Sequence, residues 1–391
     1  MEIFWLFLVA LSTLLWVCFV LQPWRPWSSY QVVDAVDGDD DEAVLREITV
    51  LIPARNEAEV IQQTLESVIE QGPGLKIVVI DDNSEDSTVE RVRAMRIGEL
   101  RVLHAPPPPA GWSGKLWALE YGRQQVTTPY TLLLDADIRL TRGIIRTLRE
   151  KMGRQDVPFI SLLAAPSMSG CWEKLLMPAF VHFFKILYPF RWVNAPNRRT
   201  AAAAGGCILV ETRLLDRIGG FESIKSAVID DCALARQVKL QGVKIWLGLT
   251  HSAKSVRTYQ RVAEICDMIA RTAFAQLRYS VGLLILCTLL MVLAYEVPAI
   301  MVFSSNLSLR YLSLLSLVVM LLTYMPIVRF YRRSWAWALG LPLIAALFLA
   351  MTWTSAIRYW QGERTRWKGR SYRREAPAIE FSKNQERSLE P

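Results

Sequence analysis

The middle of the chain alternates between continuous apolar runs and stretches in which apolar residues recur every three or four positions. The first pattern is typical of strands buried on both faces, and the second of helices that cover them. Apolar strands joined by helices indicate a parallel sheet, so an α/β fold is predicted. The predicted strands are 48–53, 75–81, 100–104 and 130–134, and the predicted helices are 57–71, 86–97 and 115–125.

Acidic residues follow the predicted strands directly. Asp81 and Asp82 end the second strand, and Asp135 and Asp137 follow the fourth. The carboxyl ends of parallel strands meet at one edge of a sheet, where such folds bind ligands. A single acid there is usually a helix cap, but clustered carboxylates repel one another unless a cation or hydrogen-bond donors compensate them. The economical interpretation is a phosphate-containing ligand held through Mg²⁺ or Mn²⁺, because these ions prefer oxygen ligands.

Long apolar runs lie near both ends of the chain. Residues 3–21 carry no charge and are long enough to span a bilayer. A cleaved signal peptide is the rival interpretation, but Glu2 stands where a basic start is expected and no small-residue cleavage site follows, so an uncleaved anchor is predicted. Three further candidate spans lie at 281–303, 311–328 and 336–357.

The charges around these runs conflict with four simple spans. Arg329, Arg332 and Arg333 lie between the last two runs and indicate the cytoplasmic side of the membrane. Four spans would place the arginine-rich tail from residue 358 onward on the opposite side, against the positive-inside rule. Either one run is re-entrant or the last run does not span, and the sequence leaves both possibilities open.

Composition narrows the class of protein. The 391 residues are 52% hydrophobic and only 21% charged, with a net charge of +8, which is too apolar for an ordinary soluble protein and excludes a disordered chain. No two of the six cysteines have C-x-x-C spacing, so neither a zinc site nor a disulfide framework is indicated, and the three histidines are too scattered to form a metal site. No G-x-G-x-x-G or Walker A motif follows the first strand, which argues against a dehydrogenase or an ATPase.

Four motifs occur in a characteristic order: VLIPARNEAEVIQQTLESV, IDDNSEDST, GWSGKLWALEYG and LLLDADI. In this order and spacing they resemble the family 2 glycosyltransferases of the GT-A fold, over residues 47–280. The N-terminal anchor, the AGGCILVETRLLDRIGGF stretch and the basic WKGR-x-Y tail are similar to the bacterial hopene-associated glycosyltransferases, which are relatives of ceramide glucosyltransferase. The resemblance implies a Rossmann-like α/β domain with a mostly parallel sheet and transmembrane helices at both ends.

The expected organisation has five parts. These are an anchor at 1–24, an acidic linker at 25–46, the GT-A domain at 47–280, transmembrane helices at 281–357 and a basic polar tail at 358–391. Two aromatic-rich stretches of the domain, 171–190 and 259–280, are expected to be helices lying in the membrane interface, with ordinary core helices as the alternative.

The resemblance also assigns roles on the donor side of the site. Asp135 and Asp137 form the D-x-D motif; Asp137 is the expected direct ligand of Mg²⁺ or Mn²⁺, and Asp135 would hold ribose or a metal-bound water. Lys115 would lie near the diphosphate. The residues expected to bind the nucleotide sugar are Pro53, Arg55, Glu57, Asp81, Asp82, Lys115 and Asp135.

On the acceptor side, Asp231 matches the family's general base, and Asp230 stands in place of the usual glutamate. The alternative is that both acids only stabilise the start of a helix. The family's Q-x-x-R-W motif is matched in part: Arg278 fits, whereas its glutamine is replaced or is displaced to Gln276. Arg278 would assist catalysis by neutralising diphosphate, or would face lipid headgroups.

The function implied by the resemblance is inverting transfer of a sugar from a nucleotide sugar, with a UDP-sugar as the expected donor, to the hydroxyl of a hopanoid or another membrane lipid. The expected place is the cytoplasmic face of the bacterial inner membrane, with no nucleic-acid partner. One alternative is a polyprenyl-phosphate acceptor, which is already ionised and needs no base. The others are a non-catalytic scaffold that binds a nucleotide sugar, and a nucleotidyltransferase.

Overall fold

The computed structural model of the chain describes residues 2–36, 38, 42–96, 98–367 and 370–373, with side chains as far as residue 363. Part of the acidic linker (37 and 39–41) and most of the basic tail (368, 369 and 374–391) lie outside the described residues, and so do the expectations for them. Within the described part, the chain forms one large sheet with helices on both faces and apolar helices at its two ends.

The central sheet has eight strands in the order β3-β2-β1-β4-β7-β6-β8-β5. Strands β1 to β4, β6 and β8 share one direction, whereas β7 and β5 run antiparallel to their neighbours. The α/β fold with a mostly parallel sheet is therefore confirmed. The strands are β1 (Ile48–Ala54), β2 (Lys76–Asp81), β3 (Leu100–His104), β4 (Tyr130–Leu134), β5 (Ile138–Leu140), β6 (Phe159–Ala165), β7 (Cys207–Glu211) and β8 (Trp246–Ser255), and a separate hairpin contains β9 (Glu363–Trp367) and β10 (Arg370–Arg373).

Sixteen α-helices are found among the described residues. They are α1 (Glu2–Leu21), α2 (Glu42–Arg46), α3 (Ile61–Ile69), α4 (Thr88–Ala94), α5 (Gly114–Arg123), α6 (Ile144–Gln155), α7 (Cys171–Leu187), α8 (Phe190–Val193), α9 (Thr212–Arg217), α10 (Asp230–Leu240), α11 (Val262–Ala270), α12 (Ala273–Gln276), α13 (Val281–Met291), α14 (Val297–Met301), α15 (Leu307–Phe330) and α16 (Leu341–Trp360). Short 3₁₀ turns occur at Glu222–Ile224 and Trp335–Gly340.

Strand β1 shows how the sheet divides the core in two. All seven of its residues are buried, and successive side chains of a strand point to opposite faces. Val50 and Ile52 pack with Leu65 of α3 and Leu148 of α6, whereas Leu51 packs on the other face. That other face also receives α5, α7 and α10, which is where the candidate site lies.

Two predicted elements differ from the structure. The helix predicted from residue 57 begins at Ile61, because the backbone N–H groups of Glu57 and Ala58 donate to Thr88 and Asp86 and form a turn instead. The stretch 259–280 is two short helices, α11 and α12, rather than one.

The acidic linker is not simply solvated. Asp34 accepts hydrogen bonds from Thr250 and His251 of β8, and these bonds lower the pKa of its carboxyl although partial burial raises it. The linker therefore packs along the edge of β8 at its start, and His251 helps to hold it there.

Four helical segments of the described residues are long and apolar enough to cross a membrane: Glu2–Leu21, Val281–Met301, Leu307–Phe330 and Trp335–Trp360. The second is interrupted by a π-helical turn at Val292–Glu296, just before Pro298, whose nitrogen cannot donate a helical hydrogen bond. Helices α1 and α15 pack together, with the hydroxyls of Thr13 and Ser316 2.7 Å apart.

Candidate active site

Lys115 lies among the acids at the carboxyl edge of the sheet. Ser113 caps helix α5 by accepting a hydrogen bond from Leu116, which places Lys115 in the first turn. Its Nζ lies 2.7 Å from Asp135 Oδ1 and 3.5 Å from Asp230 Oδ2. Burial alone lowers the pKa of Lys115, but the neighbouring carboxylates raise it overall, so the side chain stays protonated and positively charged. The clustered acids thus have the compensating charge that the sequence required.

Asp231 is held by backbone donors at the start of α10. Gly205 N donates to Asp231 Oδ2 at 2.9 Å, and Cys232 N donates to Oδ1 at 2.7 Å. A Cβ at Gly205 would stand about 3.4 Å from Lys115 Nζ and 3.6 Å from Asp231 Oδ2, so Gly205 lies next to both side chains. Burial and the charge of Asp230 raise the pKa of Asp231 to about 6. A carboxylate that is ionised at neutral pH but holds a proton this readily suits general-base catalysis.

Asp137 belongs to a second charged group. Arg257 Nε donates to Asp137 Oδ2 at 3.1 Å, and Arg257 Nη2 donates to both carboxylate oxygens of Glu57 at 2.9 and 2.7 Å. Ser255 Oγ also donates to Asp137 Oδ2 at 3.1 Å. Burial lowers the pKa of Arg257, but Asp137 and Glu57 raise it overall. The arginine therefore joins the D-x-D motif to the loop after β1.

Arg257 and Ser255 were missed in the sequence, although a signal was present. The run VKIWLGLTHSAKS has the apolar character of a buried strand, and it contains β8. Because β8 runs parallel to β6, its end lies at the same edge as the ends of β1, β2 and β4. Polar residues directly after this strand are therefore expected at the ligand-binding edge of the sheet, like those after β1, β2 and β4.

The loops after β1 and β2 hold one another. Arg55 Nη1 donates to the carbonyl oxygens of Asp82 and Asn83, both at 2.7 Å, so this buried guanidinium shapes the loop after β2. The carboxylate of Asp81 accepts from Ser84 N at 3.1 Å and lies 3.2 Å from His104 Nδ1. These residues lie together at the edge of the sheet where the nucleotide was expected.

Arg278 lies apart from the two charged groups. It is exposed in the turn between α12 and α13, with a φ of +54°, and none of the contacts found among the described residues joins its side chain to Asp135, Asp137 or Asp231. Its neighbour Gln276 is better connected, because the hydroxyl of Tyr188 donates to Gln276 Oε1 at 2.5 Å.

Tyr188, at the end of α7, was not identified from the sequence. Burial raises the pKa of its hydroxyl, and the charges of Cys232 and Asp231 raise it further. The displaced glutamine is therefore linked to the surroundings of Asp231 through a tyrosine 88 residues earlier in the chain.

One pocket brings five of the eleven predicted site residues together. Pro53, Lys115, Asp135, Asp230 and Asp231 line it, together with Gly205, whereas Arg55, Glu57, Asp81, Asp82, Asp137 and Arg278 do not. Among the described residues, no group of three or more histidine, cysteine or acidic side chains could hold a metal ion. Asp135 and Asp137 nevertheless suit Mg²⁺ or Mn²⁺ shared with a ligand, because Mg²⁺ is commonly bound by one or two carboxylates together with substrate phosphates.

Comparison with known proteins identifies this arrangement. The family model described as Glycosyl transferase family 2 matches residues 49–219, which include both loops and the D-x-D motif. The middle of the chain is a family 2 glycosyltransferase domain. Among curated proteins, the probable glycosyltransferase YdaM of Bacillus subtilis (strain 168) is 28% identical over 213 residues, which are 50% of this chain and 46% of that protein.

A second relative is matched over a shorter stretch of the family 2 glycosyltransferase domain. The 4,4'-diaponeurosporenoate glycosyltransferase of Staphylococcus haemolyticus (strain JCSC1435) is 32% identical over 93 residues, which are 24% of this chain and 24% of that protein. The chain thus spans less than half the length of these two curated relatives.

The fold has a counterpart among solved structures. The mannosyltransferase PcManGT of Pyrobaculum calidifontis, solved in complex with GDP-Man and Mn²⁺, superposes with a TM-score of 0.57 at 17% identity. The alignment covers 91% of this chain and 100% of that one. The chain therefore has the GT-A fold. The expected apolar helices lie towards its two ends.

Proposed function

We propose that this chain is a membrane-bound inverting glycosyltransferase that moves a sugar from a nucleotide sugar to the hydroxyl of a membrane lipid. The observation that carries the proposal is the position of Asp231. Its carboxylate lines the same pocket as Asp135 and Lys115, and burial beside Asp230 raises its pKa to about 6. The proposed base therefore lines the same pocket as a set of groups suited to a nucleoside diphosphate.

The reaction follows from this arrangement. Asp231 accepts the proton of the acceptor hydroxyl while the hydroxyl oxygen attacks the anomeric carbon of the sugar. The bond from that carbon to the nucleoside diphosphate breaks on the opposite face, its electron pair leaves with the diphosphate, and the configuration inverts. Gly205 N and Cys232 N hold the two carboxylate oxygens of Asp231 and orient them for the transfer.

Charge on the leaving diphosphate needs compensation. Lys115 lies 2.7 Å from Asp135 and can donate to phosphate oxygens at the floor of the pocket. Asp137, together with Asp135, would hold Mg²⁺ or Mn²⁺, which when bound supplies positive charge against the diphosphate. Arg257 supplies a further cation beside Asp137.

Helix α7 supports a lipid acceptor. Phe183 of α7 packs against Tyr295 and Phe348 of the apolar helical segments, with ring centroids 6.0 and 4.9 Å apart. Five residues later, Tyr188 lies beside the base. The helix thus connects the membrane-facing part of the molecule to the reacting group. The Staphylococcus relative, named for diaponeurosporenoate, agrees with a lipid-like acceptor, and a hopanoid or another membrane lipid is proposed here, with a UDP-sugar as donor.

Nucleoside diphosphate release by the detergent-purified chain tests this function. UDP-sugars and GDP-sugars would be supplied with Mn²⁺ or Mg²⁺, with and without bacterial lipid extract, beside Asp137→Ala. The matched surface control is Asp156→Asn, because Asp156 is exposed and its left-handed backbone suits asparagine.

Lipid-dependent release from one donor, lost in Asp137→Ala and kept in Asp156→Asn, is the expected result, and mass spectrometry of the lipid product would then name the acceptor. Release of pyrophosphate from nucleoside triphosphates would instead indicate a nucleotidyltransferase. A product carrying the sugar on a lipid phosphate would replace the hydroxyl acceptor with polyprenyl phosphate.

A further inference from the structure

Helix α7 is attached to the catalytic domain at both of its ends. At its start, Glu173 accepts a hydrogen bond from Tyr259 N at 2.6 Å. At its end, Tyr188 donates to Gln276 of the domain, and the amino group of Lys185 donates to the carbonyl of Ser28 in the linker. A 17-residue helix tied down in this way runs along the surface of the domain and cannot pass away from it into a membrane.

Helix α16 follows α7 in the same direction. Gly340, directly before α16, lies against Leu175 near the start of α7, since a side chain placed at this glycine would stand 3.1 Å from Leu175. Eight residues further along each helix, Phe348 packs against Phe183 with ring centroids 4.9 Å apart. The two contacts are eight residues apart on both helices, so α7 and α16 run side by side in the same direction over this stretch. Helix α16 is therefore aligned with a helix that lies on the domain.

The far end of α16 also returns to the domain. Ser355 Oγ donates to Ala270 O at 2.5 Å and accepts from Phe274 N at 3.1 Å, which joins α16 to α11 and α12. One turn later, Arg358 Nη2 donates to Asp267 Oδ1 at 2.6 Å. A helix that crossed the bilayer would carry one of its ends about 30 Å away from the surface on which the domain rests.

We propose that α16 does not cross the membrane. It lies in the surface of the leaflet on which the catalytic domain rests, beside α7, with its outward face among the lipid headgroups and upper acyl chains. The pairing of both its ends with domain residues carries this inference, although length and hydropathy alone classify the segment as a candidate span.

The outward face of α16 has the character that this position requires. Leu343, Ala346, Ala350 and Ile357 are exposed and follow one stripe of the helix, whereas Ile344, Phe348 and Met351 are buried against the protein. Aromatic residues stand at both ends of the helix, with Trp335 64% and Trp360 48% exposed, as is typical of membrane interfaces. The partner of this face is the lipid bilayer itself.

This placement resolves the conflict among the charges. Helix α15 ends on the domain's side of the membrane, because His251 Nε2 of β8 lies 2.8 Å from Phe330 O. With α16 in the plane of the membrane, Arg329, Arg332, Arg333 and Arg358 all lie on that side, in agreement with the positive-inside rule. Three candidate spans then remain: α1, α13 with α14, and α15.

Cysteine accessibility tests the side on which α16 ends. Gln361→Cys would be compared with Gln63→Cys on the exposed face of α3 and with Ser305→Cys between α14 and α15, all of them exposed positions. A membrane-impermeant maleimide would be applied to intact cells and to inverted vesicles, and labelling counted above that of the unchanged chain, which retains its native cysteines.

Labelling of Gln361→Cys in the same preparation as Gln63→Cys is the expected result. Labelling together with Ser305→Cys would overturn the proposal. Neither outcome depends on catalytic activity, so a failure here is distinguishable from a failure of the proposed function.

Depth measurement gives an independent test that needs no labelling from outside the cell. Nitroxides at Leu343 and Ile357, 14 residues apart, are separated along the helix axis by about 21 Å. Power-saturation EPR in vesicles would report similar shallow depths at both positions if α16 lies in the interface. The controls are Leu315 and Leu322 on the exposed side of α15, whose depths should differ by most of their separation of about 10 Å. A depth difference of about 20 Å between Leu343 and Ile357 would contradict the proposal.

Discussion

The two halves of the site use carboxylates in opposite ways. In the donor-side half, which consists of Glu57, Asp137 and Arg257, one guanidinium donates to both acids at 2.7 to 3.1 Å. In the acceptor-side half, which consists of Asp230 and Asp231 and is reached by Lys115 from the donor side, the single ammonium lies 2.7 Å from Asp135 and farther, at 3.5 Å, from Asp230. Asp231 depends on backbone N–H groups instead.

This contrast teaches how one residue type acquires two roles. A carboxylate matched by a guanidinium or a metal keeps its charge and can hold a cation. Asp231, buried beside the like charge of Asp230, has its pKa raised to about 6 and can take up a proton. In the proposed reaction, the surroundings and not the side chain would decide which acid binds the metal and which acts as the base.

Removing the metal should have the largest effect and should act on the donor-side half alone. With a chelator, turnover is expected to fall to background and to return when Mn²⁺ or Mg²⁺ is added back. Loss of a residue that only hydrogen-bonds a metal ligand weakens metal binding by roughly 10- to 100-fold. Asp137 is the proposed ligand itself, so in Asp137→Asn the metal concentration for half-maximal rate should rise by at least that much. An equal rise in the metal concentration for half-maximal rate in Asp230→Asn would contradict the division of the site into two halves.

Replacing Lys115 sharpens the account of the acceptor-side half. Lys115→Gln removes a charge that lowers the pKa of Asp231, so more of the base is protonated at neutral pH. If the pKa of Asp231 rises above 7, turnover at pH 7 should fall by about tenfold for each unit of that excess. Part of the lost turnover should return at pH 9, where more of the base is ionised. Lys115→Arg, which keeps the charge, is the matched control. A loss that is the same at every pH would show that Lys115 acts only on the diphosphate.

Arg257 gives a way to break the donor-side half without touching its acids. Arg257 Nε donates to Asp137 Oδ2, so the guanidinium would compete with a cation held by Asp137. Arg257→Gln should therefore bind Mn²⁺ alone several times more tightly, measured by EPR without nucleotide. Arg257→Lys retains a competing cation and should change the affinity less. Weaker Mn²⁺ binding in Arg257→Gln would mean that the arginine positions Asp137 instead of competing for it.

The smallest effect is expected from the charge of Asp230. Asp231 must be ionised to accept a proton, so activity should be lost as the pH falls through about 6. Asp230→Asn removes a charge that raises this pKa, and the acid limb of the pH–rate profile should move to lower pH by up to about one unit. A limb that stays in place, or moves upward, would assign the titration to another group.

Much of the site could be predicted from the sequence because its residues follow local patterns. Asp81, Asp82, Asp135 and Asp137 stand directly after apolar runs that are strands in the structure, and a parallel sheet gathers strand ends at one edge. Asp231 was found only through its resemblance to a family motif, since an acid in the first turn of a helix is otherwise unremarkable.

The remaining residues depend on long-range pairing that no local pattern reveals. Arg257 meets Glu57 across 200 residues, and Tyr188 meets Gln276 across 88. The antiparallel strand β7, placed between β4 and β6, brings Gly205 beside Asp231. The same holds for α16, whose hydropathy resembles that of a span while Ser355 and Arg358 tie it to the domain.

The central claim is that Asp231 is the base, and Asp231→Asn tests it most directly. Turnover with the identified donor and lipid would be measured beside donor affinity, with Asp156→Asn as the matched surface control. The account predicts a loss of turnover of about 10²- to 10⁴-fold, the usual contribution of general-base catalysis, with donor affinity nearly unchanged. Turnover equal to that of the control would contradict the assignment and would point to an acceptor that is already ionised.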